Sequence, residues 1–278
     1  MLSSIRLVNV ERIPLSLYCI GSLAMLLNFI ECPINCDRCP WESNINRRSA
    51  RLLHFDVQNV IDLANRYKTD VIFLHGAEPY MYVKHDMVRK IKDETTATVG
   101  IKVNPLIAKD FSGFETFIDS IDVVVFEVVS SRDVDIQVSL LSQMLCNSLI
   151  KSKHIEIVVV AECNRDLNGL LIEVASIVRG NNIPINVVFS SGEYSSLDVD
   201  KINRIRKEHP LVQAPVADMV ELASTLCPGC RNIVVVRRSG IVYRVNVDEL
   251  GRCRVCKYKL VNTKIKKPVK LPLDIPLA

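Results

Sequence analysis

Apolar runs alternate with amphipathic stretches along most of the chain. Leu23 to Ile30 reads as a fully buried strand. Phe55 to Tyr67 places Val57, Val60, Ile61 and Ala64 on one face, the period of a helix. Asp70 to His75 is a second short buried strand. A helix over Val83 to Lys92 leads to a strand, Thr98 to Val103, which Asn104-Pro105 ends. A short helix near Phe114 to Ser120 precedes the strand Val123 to Val128. Asp133 to Lys151 has the pattern of one long helix, and Ile155 to Val160 is the next strand. Asp166 to Arg179 is helical and stops at Gly180, a C-cap signal. Ile185 to Phe189 makes the sixth strand, and a helix over Asp198 to Glu208 follows.

Six continuous apolar strands separated by helices imply parallel pairing with both sheet faces covered. The fold class is α/β, and the spacing suits a partial (β/α)6 barrel or an open doubly wound sheet. Either places an active site at the carboxyl ends of the strands. The residues there are Cys32, Cys36 and Cys39, Gly76-Ala77-Glu78-Pro79, Asn104, Ser130-Ser131, Glu162 and Ser190-Ser191. One stretch competes with this picture. Ile13 to Ile30 has no charged residue for 18 positions, long enough to raise a membrane span. Pro14, Ser16, Gly21, Ser22 and Asn28 interrupt it, so a turn followed by the first buried strand is the preferred reading, with no membrane.

Composition adds a second unit. The 278 residues are 49% hydrophobic and 24% charged, a globular profile large enough for one main core plus a small appendage. From Pro228 onward there are 12 Lys/Arg against 3 Asp/Glu, so a basic end follows an acidic body. Seven of the ten cysteines fall into tight clusters, at 32/36/39, 227/230 and 253/256. Thiols two or three residues apart are arranged to share a metal rather than to cross-link loops, and a reducing cytoplasm is the simpler setting.

The first cluster, FIECPINCDRCPWES from Phe29 to Ser43, is a C-x3-C-x2-C loop directly after a strand. It has no fourth cysteine within reach, so a cluster held there keeps one open iron, the mark of a reactive centre. A zinc site completed by a distant ligand and chance clustering are the other readings. In this pattern the chain resembles the radical S-adenosylmethionine superfamily. The resemblance implies a [4Fe–4S] cluster on Cys32, Cys36 and Cys39, with S-adenosylmethionine chelated by the fourth iron. An external electron donor would reduce the cluster, and cleavage would give a 5′-deoxyadenosyl radical that abstracts a substrate hydrogen. The turn Gly76-Ala77-Glu78-Pro79 is similar to the family's Gly-Gly-Glu-Pro, which implies a cofactor-binding role for these four residues. Asn104 and Ser130 stand where ribose or carboxylate contacts are expected, with turn capping as the alternative. Arg38 replaces the aromatic that usually precedes the last cysteine, with Trp41 as a possible substitute. Glu127-Val128-Val129 lacks the lysine of the branch's Asp-x-Lys. His75 is read as a satisfied strand-end histidine in preference to a proton donor.

The second constellation is Cys227-Pro-Gly-Cys230 and Cys253-Arg-Val-Cys256. Between the pairs, 232–236 and 241–247 read as strands around the turn Arg238-Ser239-Gly240. Two C-x2-C knuckles on a hairpin make a four-thiolate site, the layout of zinc ribbons and rubredoxin-like modules. Zn²⁺ is the leading occupant; iron or a second Fe–S cluster is the alternative. Gly251-Arg252-Cys253 and the lead-in IPLSLYCIGSLAML resemble the AmmeMemoRadiSam-system and pyruvate formate-lyase activating enzyme-like branch.

The expected division is a barrel over 1–222, a four-cysteine ribbon module over 223–260 and a basic, proline-containing tail over 261–278. Two functions stand against each other. One is a radical enzyme that activates or modifies a protein, RNA or other substrate. The other is a non-catalytic iron–sulfur or zinc protein that binds RNA or a partner protein.

Overall fold

The computed structural model describes residues 1–30, 32–34, 36, 39, 52–109, 111–161, 167–190, 194–260 and 274–277. Arg38, Trp41, Glu162, Ser191 and the lysines at 264, 266, 267 and 270 lie outside the described residues.

All six expected strands form, and they are β2 to β7 of a larger sheet: Leu23–Phe29, Val71–Gly76, Thr98–Val103, Val123–Val129, His154–Ala161 and Ile185–Phe189. Three further strands that the hydrophobic pattern does not announce join it: β1 (Leu2–Asn9), the two-residue β8 (Val212–Gln213) and β12 (Asp274–Pro276). The order is β12-β1-β2-β3-β4-β5-β6-β7-β8. Strands β2 to β8 run parallel in sequential order, and β1 is antiparallel to both of its neighbours. Among the described residues no order reversal occurs, which is not the topology of a doubly wound sheet.

Connecting helices follow the predicted amphipathic stretches. α1 (Val57–Tyr67) buries Val60, Ile61 and Ala64, and Asp56 caps it by accepting from the Gln58 N–H. α2 is His85–Glu94 and α3 is Phe111–Asp119. The single helix expected over 133–151 is two, α4 (Val134–Cys146) and α5 (Ser148–Lys151). Asn147 is extended between them, and its carboxamide oxygen caps the Leu149 and Ile150 N–H groups. α6 (Leu167–Ile177), α7 (Ser196–Arg206) and the short α8 (Val220–Ala223) complete the set.

The sheet has a core on each face. Alternate residues such as Ile72, Leu74, Ile101, Phe126 and Ile157 pack with the helices in the main core. The opposite residues, including Val71, Phe73, Val125, Val158 and Val188, form a second apolar cluster. Its cover is the lead-in, through Ile13, Leu15 and Tyr18. That explains the long uncharged stretch: half of it is irregular chain buried on the sheet, and half is β2. Among the described residues no helix is long and apolar enough to cross a membrane. A buried carboxylate pins the lead-in. Glu156 accepts from Ser16 N and Oγ at 2.7 Å, from Leu17 N at 2.9 Å and from Asn186 Nδ2 at 2.7 Å.

After α8, β9 (Thr225–Leu226), β10 (Ile233–Arg238) and β11 (Ile241–Val245) form a separate antiparallel sheet. Its apolar cluster includes Leu17 and Ile20 of the lead-in and Leu211. The small unit therefore completes its core with side chains from the larger one.

Candidate functional site

The loop after β2 carries Cys32, Cys36 and Cys39, all half-buried. Ile34, Cys32 and Cys36 pack on the inner-face cluster, so the loop folds over the carboxyl end of the sheet. Burial and then the nearby Cys39 and Cys32 push the Cys36 thiol up to about 12. Glu127 and Lys102 also act on that thiol, but among the described residues the three sulfurs do not meet closely enough to form a group that could hold one ion. From the turn after β5, Arg132 Nε donates to the Ile34 carbonyl at 3.1 Å and ties that turn to the loop.

Beneath the loop, the inner face changes from apolar to polar. Asn28, His75, Lys102 and Glu127 come from four successive strands, β2 to β5, and all are buried. His75 Nδ1 lies 3.3 Å from Asn28 Oδ1. Burial, aided by the Lys102 charge, pushes His75 down to about 3, so it is neutral. Lys102 Nζ donates to Glu127 at 2.9 Å and to Glu78 at 3.5 Å. Those two carboxylates hold the ammonium charged although burial opposes it. One cation cannot neutralise two acids; burial, with Glu127 adding to it, raises Glu78 to about 7. Lys102 is a lysine that the sequence reading passed over inside the strand TVGIKV. Its signal was available: a lysine and a glutamate, each alone in an apolar run on adjacent strands.

The Gly76–Pro79 turn follows β3 as expected. Gly76 has φ +91°, and a Cβ there would sit 2.4 Å from the Phe29 carbonyl oxygen. Close approach to β2 therefore requires this glycine. Ala77 N donates to the same carbonyl at 2.9 Å. The Glu78 carboxylate turns inward, to Lys102 and to the Asn104 N–H at 3.2 Å. Asn104 is wholly buried, with Oδ1 accepting from Leu106 N and Nδ2 donating to Gln137 Oε1, both at 2.9 Å. Turn capping accounts for it. Ser130 is buried at the end of β5, and its N–H donates to Val160 O at 3.0 Å. Gln137, which the sequence reading did not single out, organises this corner. Its carboxamide bonds both Val129 N and Val129 O at 3.0 Å, and also the Arg132 carbonyl.

Cys227, Cys230, Cys253 and Cys256 converge, with all four sulfurs within 4.8 Å of one another. Both knuckles fold alike. Cys227 N and Cys253 N donate to the carbonyls of Asn232 and Tyr258, and the Arg231 and Lys257 N–H groups return to Cys227 O and Cys253 O. Arg231 and Lys257 are left-handed, at φ +64° and +62°. A Cβ on Gly229 would lie 3.1 Å from Tyr258 and 3.2 Å from Cys256 Sγ, so the Pro-Gly pair lets the knuckles meet. Asn232 Nδ2 donates to Cys230 Sγ at 3.3 Å, a hydrogen bond that would fix the orientation of a metal-bound thiolate. Sulfurs 2.3 Å from one tetrahedral ion stand about 3.8 Å apart. The Cys227–Cys256 and Cys230–Cys253 separations, 3.5 and 3.7 Å, fit that spacing. Among the described residues this is the group arranged to hold a single metal ion.

Compared with known proteins, the chain matches no family model and no curated protein sequence.

Proposed function

We propose that the chain is a radical S-adenosylmethionine enzyme, with Cys32, Cys36 and Cys39 holding a [4Fe–4S] cluster at the mouth of a partial barrel. The observation that carries this reading is positional. A three-cysteine loop leaves the first of seven sequentially ordered parallel strands and folds over a buried polar row at their carboxyl ends. Active sites of such α/β sheets collect at that end. With both groups bound, the cluster would supply one electron to the sulfonium, giving methionine and a 5′-deoxyadenosyl radical that takes a hydrogen atom from the substrate.

The chain's own residues have separable roles in this proposal. Arg132 and Gln137 position the cysteine loop and the turn after β5. Glu78 holds Lys102 and the Asn104 backbone in place, and the buried Gly76–Pro79 turn shapes the wall against which the cofactor would lie. Neutral His75 and Asn28 line the substrate side. The four-cysteine module takes Zn²⁺ as a structural ion, and the close sulfur spacing favours one ion over a cluster. A protein is the favoured substrate.

A second reading, a metal-holding module that binds RNA or a protein, draws on the charge of residues 223–260, with eight Lys/Arg and two Asp/Glu. Anaerobic reconstitution separates the two. The enzyme predicts an electron paramagnetic resonance signal that S-adenosylmethionine alters, formation of 5′-deoxyadenosine under reduction, and loss of both in Cys36→Ala. An unaltered signal with no cleavage would remove the radical reading.

A further inference from the structure

A cavity of about 410 Å³ lies on the inner face at the β12–β1–β2–β3 end of the sheet. Its floor reaches Asn28 and His75, the first two members of the polar row. Its rim carries Arg6 from β1 and Arg12 just beyond it, with Ser239 and Gly240 of the metal module's hairpin closing the far side. Burial has pushed His75 to its neutral form, so among the described residues the charged groups lining the cavity are two guanidiniums and one carboxylate, Asp274.

Asp274 bridges both arginines. Its Oδ1 accepts from Arg6 Nε at 2.7 Å and its Oδ2 from Arg12 at 3.3 Å. Its residue belongs to β12, which holds the sheet edge through three paired residues, Asp274, Ile275 and Pro276. Guanidinium groups recognise carboxylate and phosphate alike through charge-assisted hydrogen bonds. Ile275 is exposed, and beyond the three paired residues the strand is held by the Leu277 N–H to Ile5 O at 2.8 Å and the Leu277 side chain against the main core, fewer contacts than hold any inner strand.

We propose that Arg6 and Arg12 form an anion subsite for the substrate, and that Asp274 occupies it as an internal stand-in for a carboxylate or phosphate. An incoming anionic group takes the place of Asp274, and β12 is the plug that leaves. The site then selects ligands with a negative group at one end and presents their remainder to His75 and Asn28. The anion subsite stands on its own geometry; naming its ligand the substrate rests on the radical reading above.

Calorimetric titration of the full-length chain with methyl phosphate and with acetate tests this. Asp274→Ala should bind at least one of them at least tenfold more tightly than the parent, and the tighter probe names the group. Arg12→Gln or Arg6→Gln in the Asp274→Ala background should return binding to the parental level. Asp274→Asn, which keeps the side-chain shape, should show the same gain if the alanine variant folds poorly. Equal binding by parent and both Asp274 variants, or a gain that survives loss of either arginine, overturns the subsite. The titration needs neither cluster nor S-adenosylmethionine. Anion binding without 5′-deoxyadenosine formation would therefore keep the subsite and remove only the radical reading.

Discussion

Lys102, Glu78 and Glu127 show how much one buried cation decides. Lys102 sits closer to Glu127, so Glu78 carries the unbalanced charge, and burial raises it from the ordinary 4.5 to about 7. An acid whose folded pKa lies above its unfolded one supports the fold below the unfolded value. That support is lost as pH climbs through the folded value. For Glu78 the window runs from about 4.5 to about 7. Glu78→Gln keeps a hydrogen-bonding side chain without the titration. The variant should therefore gain on the parent by about 3 kcal/mol between about pH 5 and about pH 8. Urea midpoints across that range check it; a stability gap independent of pH would show that Glu78 is ionised throughout. None of this could be read from Glu78 alone. The Gly-x-Glu-Pro turn was legible, but the partner that commits its carboxylate lies 24 residues away on another strand.

Elements were more legible than contacts. The six inner strands were found because each is buried on both faces and reads as an unbroken apolar run. β1 and β12 escaped for the opposite reason: LSSIRLVN mixes polar and apolar positions near the sheet edge, and DIP is too short to carry a period. The break at Asn147 was hidden because the apolar pattern continues through it, while a capping asparagine costs one residue. Gln137 was invisible for a related cause. A glutamine in a helix is ordinary, and only burial shows that its amide serves β5. Gln137→Leu would fit the volume but leave Val129 N, Val129 O and the Asn104 amide without their partner. Buried groups stranded in this way cost about 1–3 kcal/mol each before relaxation. We expect a loss of about 3 kcal/mol by chemical denaturation, with faster amide exchange at 129–132. A change within the roughly 0.5 kcal/mol of an ordinary surface substitution would mean the turn holds itself.

At the scale of the molecule, the four-cysteine module and the sheet are one structure joined through the lead-in. Arg237 of β10 is wholly buried; it donates to Thr225 Oγ1 at 2.7 Å and to the Ser16 carbonyl. Burial lowers it to about 10, still charged at neutral pH, and Glu11 and Glu156 offset that cost. Ser16 is also the residue that Glu156 holds from β6. Leu17 and Ile20, on the same segment, fill the module's core. A module this small cannot sustain its fold on that core alone, and the four thiolates need a cation to remain together. An ion held there would therefore stabilise the cover of the inner sheet face as well as its own knuckles. Metal analysis should find one zinc per chain at the four-cysteine site, retained in a Cys32/Cys36/Cys39 triple alanine variant. Stripping it with a strong chelator, or Cys253→Ser, should lower Tm by roughly 10 °C, as a loss of about 4 kcal/mol does in a chain of this size. The lead-in should then become sensitive to protease together with the module. Cleavage confined to 223–260, with Tm unchanged, would show that the two cores are independent.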